Sequence, residues 1–226
     1  MRLLRGALAD PTADREVTAR LVDRTRETGE PGLRVWTPPR QVAFGPRDVR
    51  SDGYDRARET AESRGYPPVE RESGGRAVAF TGTTVAFART ERVGDERRNV
   101  QSRYETVSAS LVEALASLGV DARAGEPDDS FCPGTHSLQA DGKLVGVAQR
   151  VHRDVAMVAG VVVPREHEAI AAVLDPVYDA LGLPFDPHSV GSVARAGGDG
   201  RPDRVVAAIE DVLAAEDATA LRVRDT

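Results

Sequence analysis

Two apolar stretches, Leu144–Val151 and Val155–Val163, are separated only by His152, Arg153 and Asp154. A polar gap that short joins two strands as an antiparallel pair, because a parallel partner needs a crossover of a dozen residues or more. Helical patterning surrounds this pair. Asp14–Thr28 carries Val17, Leu21, Val22 and Thr25 on one face and stops at Gly29 and Pro31. Glu96–Leu118 has Val100, Tyr104, Val107, Leu111, Leu115 and Leu118 at helical spacing, with Gly119 at its end. Ser51–Arg64, Arg165–Leu181 and Asp203–Glu216 read as further helices, and the residues after the last one as a frayed end. Shorter strands are expected at Leu33–Thr37, Gln41–Gly45, Pro67–Arg71 and Val120–Arg123. Ala77–Phe80 and Thr83–Ala88 read as a hairpin around Thr81-Gly82. Helices interspersed with neighbouring strands predict an α+β fold, with a mixed, largely antiparallel sheet flanked by helices. The 226 residues are expected to form one domain, 1–226.

The net charge of −6 argues against a partner held by its nucleic-acid phosphates. No apolar run approaches the roughly 18 residues that span a bilayer. The first ten residues have two arginines but no leader-like apolar stretch, so no membrane association and a cytoplasmic location are expected. With one cysteine, Cys132, no internal disulfide can form. His136, His152, His167 and His188 have no ligand-like spacing, and no metal site is expected.

Of the 30 basic residues, a single one is lysine, Lys143. A GC-rich genome makes lysine rare but does not say where one survives. Arginine lacks what lysine offers, a compact ammonium with a movable proton. Lys143 follows an Asp141-Gly142 turn and opens the strand Lys-Leu-Val-Gly-Val-Ala-Gln. Strand alternation puts Lys143, Val145, Val147 and Gln149 on one face, and Leu144, Gly146, Ala148 and Arg150 on the other. The small residues Gly146 and Ala148 leave room for an acyl chain or another backbone. Cys132 lies in Phe-Cys-Pro-Gly-Thr-His, a turn that exposes a thiol. A lone cysteine also serves as a small buried hydrophobe. As a nucleophile it needs a nearby cation, for which Lys143 and His136 are candidates. Arg71-Glu-Ser-Gly-Gly-Arg-Ala77 pairs glycines with arginines. Its amides, with Arg71 and Arg76, could hold a phosphate or carboxylate, although an ordinary turn would look the same.

Together these segments resemble one superfamily. Ser73-Gly-Gly-Arg-Ala-Val78 is similar to a Gly-Gly-x-Ala-Val loop. Gly142-Lys-Leu-Val-Gly-Val-Ala-Gln149 is similar to the lysine strand of lipoate-protein ligases and octanoyltransferases. Phe131-Cys-Pro-Gly-Thr-His-Ser-Leu138 resembles the cysteine segment of the amidotransferase branch. A histidine that many ligases and octanoyltransferases carry after Ala-Val is replaced here by Ala79 and Phe80, which again favours the amidotransferase branch. The resemblance implies the fold of biotin and lipoate protein ligase catalytic domains. It implies an octanoyl or lipoyl group carried on Cys132 as a thioester, with Lys143 pairing with the thiolate or stabilising the acyl oxyanion. Arg71, Ser73, Gly74, Gly75, Arg76, Ala77, Gly146, Ala148 and Gln149 would bind substrate. The acceptor would be a lysine of a lipoyl-domain protein, such as the glycine cleavage H protein or a 2-oxoacid dehydrogenase acyltransferase subunit. A transferase would need no cofactor; the alternative ligase would need ATP and Mg. A third reading is a relative that binds lipoyl domains without turnover.

Overall fold

The computed structural model describes residues 1–94 and 99–223. The chain runs β1 (Arg2–Arg5), α1 (Pro11–Thr28), β2 (Gly32–Trp36), β3 (Gln41–Phe44), α2 (Pro46–Val49), α3 (Tyr54–Ser63), β4 (Pro68–Glu70), β5 (Val78–Phe80) and β6 (Val85–Arg92). It continues α4 (Val100–Ser117), β7 (Arg123–Ala124), β8 (Ser137–Ala140), β9 (Gly142–His152), β10 (Val155–Val162), α5 (His167–Ala180), α6 (Pro202–Leu213) and β11 (Thr219–Arg222). Among the described residues the strands form two sheets. The larger has the order β11-β1-β2-β6-β10-β9-β8-β7, and the smaller β4-β3-β5. The β9–β10 hairpin is antiparallel, with Val155 opposite His152, as the short gap requires. Only β1 pairs in parallel within the large sheet, with β2 and with β11. This is the mixed, mostly antiparallel α+β architecture that the pattern predicts.

One face of the large sheet, with Leu33, Val35, Val85, Phe87 and Val158, packs on Val107, Leu111 and Leu115 of α4 and Val205 and Ile209 of α6. The small sheet has its own core: Val42, Phe44 and Ala79 pack on Ala57 and Ala61 of α3 and on Ile170, Leu174 and Val177 of α5. The other faces of the two sheets look at each other across a cleft. Helix α1 closes one side of it. Asp10 caps α1 by accepting from the Ala13 N–H, and Gly29 ends it with φ 74°. Its Leu21 sits so close to β2 that a Cβ on Gly32 would lie 2.4 Å from Leu21 Cδ1. The buried hydroxyls of Thr25 and Thr90 join α1 to β6 at 2.7 Å.

Two expectations change. Ala77–Phe80 and Thr83–Ala88 are not a hairpin: β5 pairs with β3, whereas β6 pairs with β2 and β10. The Thr81-Gly82 turn carries the chain from one sheet to the other, because β5 is needed to line the small sheet. After α6, where a frayed end is expected, Thr219–Arg222 forms β11 and pairs with β1, while residues 224–226 lie outside the described residues. Of the long central helix, Glu96, Arg97 and Arg98 lie outside the described residues; the described part begins at Val100.

Candidate active site

The cleft between the sheets has a volume of about 870 Å³. Its floor follows from the register of the large sheet. Gly146 is opposite Val161, which is opposite Ala86, which is opposite Trp36. Two residues along, Ala148, Ala159, Ala88 and Arg34 make a second row. Small side chains on three adjacent strands leave a trough about 14 Å long, three strand spacings. Trp36 and Arg34 stand at its far end. The roof is the small sheet, with Ala43, Val78 and Phe80.

The far wall is rigidly held. Arg34 is fully buried, and its Nη2 donates to Asp14 Oδ1 at 2.5 Å. It also donates to the Asp14 and Gly6 carbonyls. Its guanidinium stacks 4.0 Å from the Trp36 ring centroid, and Trp36 Nε1 donates to Asp14 Oδ2 at 2.8 Å. Burial lowers the Arg34 pKa from its ordinary value, and Asp14 opposes that shift.

The near end holds Lys143 and Cys132. In the β8–β9 pairing, Leu138 is opposite Val145 and Gln139 opposite Lys143, so Leu144 is an extra residue on β9. This bulge breaks strict alternation. It turns Lys143 onto the trough face, where a Cβ on Gly146 would lie 3.6 Å from Lys143 Cε. Simple alternation predicts Lys143 on the face opposite Gly146 and Ala148, and the bulge reverses this. Lys143 is fully buried, and its Nζ donates to Glu126 Oε1 at 2.7 Å, the Phe131 carbonyl at 2.8 Å and the Cys132 carbonyl at 2.9 Å. An ammonium has three protons, and all have acceptors here. The expected thiolate–Lys143 pair is therefore not formed.

The sulfur has different partners. Cys132 Sγ accepts from the Arg76 N–H at 3.3 Å and lies 3.6 Å from Arg71 Nη2. Arg71 is fixed by the loop it belongs to, donating to Ser73 Oγ and O at 3.0 Å each, to the Gly74 carbonyl and to the Arg76 carbonyl at 2.5 Å. The Arg76 side chain turns away from the sulfur to Asp48 Oδ1 at 3.1 Å. Gly75 makes this contact possible. Its φ is 99°, and a Cβ there would meet Cys132 Sγ at 2.5 Å and Arg71 Nη2 at 2.9 Å. Cys132 itself has φ 44°, unusual for a residue with a side chain and a form of strain concentrated at functional sites.

The sequence points the same way as this geometry. Residues 10–175 match the family model of the lipoyl protein ligase A/B catalytic domain. The chain belongs to that family. It is 30% identical to an octanoyltransferase LipM of Kyrpidia tusciae over 228 residues, covering 90% of this chain and 80% of that protein. It is 31% identical to an octanoyl-[GcvH]:protein N-octanoyltransferase of Geobacillus kaustophilus over 122 residues, 52% of this chain and 42% of the relative. The latter match spans less than half of the relative's length. In fold it is similar to a lipoate-protein ligase A solved with ATP, with a TM-score of 0.73, 20% identity and coverage of 100% of this chain and 90% of that one.

Within this lipoyl ligase A/B domain, the predicted residues divide. Arg71, Gly75 and Arg76 lie against the sulfur, Ser73 and Gly74 hold Arg71 through their oxygens, and Gly146 and Ala148 form the trough floor. Ala77 is buried, and its carbonyl accepts from Tyr178 Oη. Gln149 alternates toward α4. Its N–H donates to Tyr104 Oη at 2.7 Å, and its amide neighbours are Arg103 and the Val100 carbonyl. It meets the cleft at the rim, beside Tyr104 and His136, whose rings stack 3.7 Å apart. Sequence reasoning missed Glu126, Tyr178, Trp36 and the Asp14–Arg34 pair. Among the described residues no group of three His, Cys, Asp or Glu is placed to hold a metal, and no helix is long and apolar enough to cross a membrane.

The packing gives one sharp expectation. Gly75→Ala puts a methyl where the sulfur sits, at a positive φ that alanine resists. The sulfur must leave its donors, so reaction of Cys132 with small electrophiles is expected to change, and the left-handed backbone strain is expected to lower stability by roughly 1–2 kcal/mol. An alanine variant that reacts as the unaltered protein does counts against the tight Gly75–Cys132 packing.

Proposed function

We propose that the chain is an acyltransferase that moves an octanoyl or lipoyl group to a lysine of a lipoyl-domain protein, through a thioester on Cys132. Residues 1–226 act as one catalytic unit, since both sheets line the trough. The observation that carries this reading is the sulfur at the mouth of a narrow trough, with an amide donor and a guanidinium against it and the far end closed. Donors of that kind suit an anionic sulfur. The names of relatives, N-octanoyltransferase and N-lipoyltransferase acting on GcvH, support the same acyl group and the same class of acceptor.

In the first half-reaction the sulfur attacks the carbonyl of the donor, an acyl thioester or an acylated protein lysine. The new C–S bond forms as the donor's C–S or C–N bond breaks, and the leaving sulfur or nitrogen takes the proton that Cys132 gives up. In the second, the acceptor's neutral amine attacks the thioester. Its C–N bond forms, the C–S bond breaks, and the proton shed by nitrogen returns the cysteine to its starting form. Both steps balance without ATP. The Arg76 N–H and Arg71 flank the carbonyl oxygen and stabilise its developing charge. Lys143 acts by holding the cysteine segment in place through two of its carbonyls and Glu126. The acyl tail lies over Gly146, Ala148, Ala159 and Ala88, toward Trp36.

Intact-protein mass spectrometry after mixing with an octanoylated lipoyl domain, in the absence of ATP, tests this. One octanoyl adduct on the peptide that contains Cys132 is expected. Modification of a lipoyl domain only when ATP is present, with no adduct, sinks the thioester route in favour of an acyl-adenylate ligase. Binding without either product favours a non-catalytic relative.

The closed end makes a second prediction. Trp36→Ala removes the wall, and longer acyl groups are expected to gain on octanoyl by roughly tenfold in kcat/KM, the scale of methylene discrimination in an apolar pocket. A chain-length profile identical to that of the unaltered protein shows that the tail lies elsewhere.

A further inference from the structure

One buried polar group in the second core has no part in the steps above. Tyr178 lies on α5, far along the chain from both sequence motifs, and is almost wholly buried. Its ring packs against Phe185, with centroids 5.0 Å apart. Packing alone would suit phenylalanine. The hydroxyl, however, is used twice: the Cys132 N–H donates to Tyr178 Oη at 2.5 Å, and Tyr178 Oη donates to the Ala77 carbonyl at 3.0 Å.

These two bonds join the two loops that meet at the sulfur. Ala77 follows the glycine loop, whose Arg76 N–H and Arg71 contact Cys132 Sγ. On the other side, the Cys132 carbonyl accepts from Lys143. The strained backbone of Cys132, at φ 44°, is thus pinned at both ends of one residue, by Tyr178 on its N–H and Lys143 on its C=O. Neither pin alone fixes where the Cα–Cβ bond points; together they do.

We infer that Tyr178 is a positioning residue for Cys132, holding its backbone so that the sulfur rests against the Arg76 N–H and Arg71. The inference rests on the thioester reading for its consequence in turnover, but not for its geometry. Burial, and next the charge on Cys132, push the Tyr178 phenol well above its ordinary pKa, so it stays protonated and able to donate to Ala77 across any working pH. The other titratable or charged groups facing the cysteine segment are Arg71, Asp48 through Arg76, Lys143 with Glu126, and His136.

The chain's single cysteine gives a direct readout. Anionic iodoacetate and neutral iodoacetamide alkylate the same sulfur, and a guanidinium beside it favours the anionic reagent. In Tyr178→Phe the ratio of the two rates is expected to fall by about fivefold, the scale of one lost charge contact at a partly exposed site. Octanoyl transfer is expected to lose kcat on the order of tenfold with little change in KM, as for a misplaced reacting group. Val173→Ala, in the same buried cluster but not among the residues that line the cleft, serves as a control for general loosening. A ratio unchanged in Tyr178→Phe, or changed equally in Val173→Ala, overturns the assignment. If Tyr178→Phe fails to fold, deuterium uptake at the Cys132 amide of the unaltered protein decides instead: slow exchange supports the bond, and fast exchange refutes it. Should Cys132→Ser retain full transfer, the thioester reading falls, yet the alkylation ratio still judges Tyr178.

Discussion

Cys132→Ser is expected to abolish the acyl-enzyme and to slow transfer on the order of 10⁴-fold or more, the scale on which covalent nucleophiles matter. The argument lies in what surrounds the sulfur. Its polar neighbours, the Arg76 N–H and Arg71 Nη2, are both donors. Donors stabilise an anion already formed but take no proton from a neutral hydroxyl. A thiol ionises unaided near pH 8.5, whereas a serine hydroxyl needs an adjacent base. The serine oxygen fits the same space and can accept the same N–H, so the fold is expected to survive, with a melting temperature close to that of the unaltered protein. A serine variant that transfers octanoyl groups at an appreciable fraction of the original rate defeats the covalent route. A variant that loses activity together with its fold leaves the decision to the mass of the unaltered protein's adduct.

Much of the architecture was legible because it rests on periodicity. The three polar residues between the apolar stretches of β9 and β10 dictate their pairing, and the stripe on α4 becomes the buried row Val107, Leu111 and Leu115. The glycine loop and the cysteine turn were legible as chemistry, and they do converge. What escaped were interactions with no local signature. A bulge at Leu144 cannot be read from the residues of β9 alone, because it exists only relative to the partner β8; it reverses the face on which Lys143 points. Tyr178 reaches the site from a distant helix and Glu126 from the acidic loop just before the cysteine segment, and neither carries a motif. Asp14 and Arg34 belong to no motif, yet they form a buried pair that braces Trp36. The separation of β5 from β6 likewise depends on which sheet needs a third strand. In each case the sequence shows residue type and spacing, while the tertiary partner decides the role.

Lys143 is the residue whose loss combines both kinds of damage. Lys143→Met keeps the volume but removes the ammonium. Glu126, 23% exposed, then loses its counter-ion, and the carbonyls of Phe131 and Cys132 lose their shared donor. A buried pair broken on one side costs about 3–5 kcal/mol, and partial exposure of Glu126 brings the expected loss to about 3 kcal/mol. Freed carbonyls also let the cysteine segment drift, and a shift of about 1 Å costs on the order of 100-fold in rate. Lys143→Arg is expected to rescue neither. A planar guanidinium on a longer stem does not point its protons at a carboxylate and two carbonyls that converge on one nitrogen. That geometry accounts for a lysine at this position in a chain that otherwise uses arginine throughout. Thermal unfolding and single-turnover acylation of both variants separate the two effects. An arginine variant with the unaltered stability and rate shows that any cation suffices at the site. A methionine variant that is unstable but acylates at the unaltered rate assigns Lys143 to folding alone.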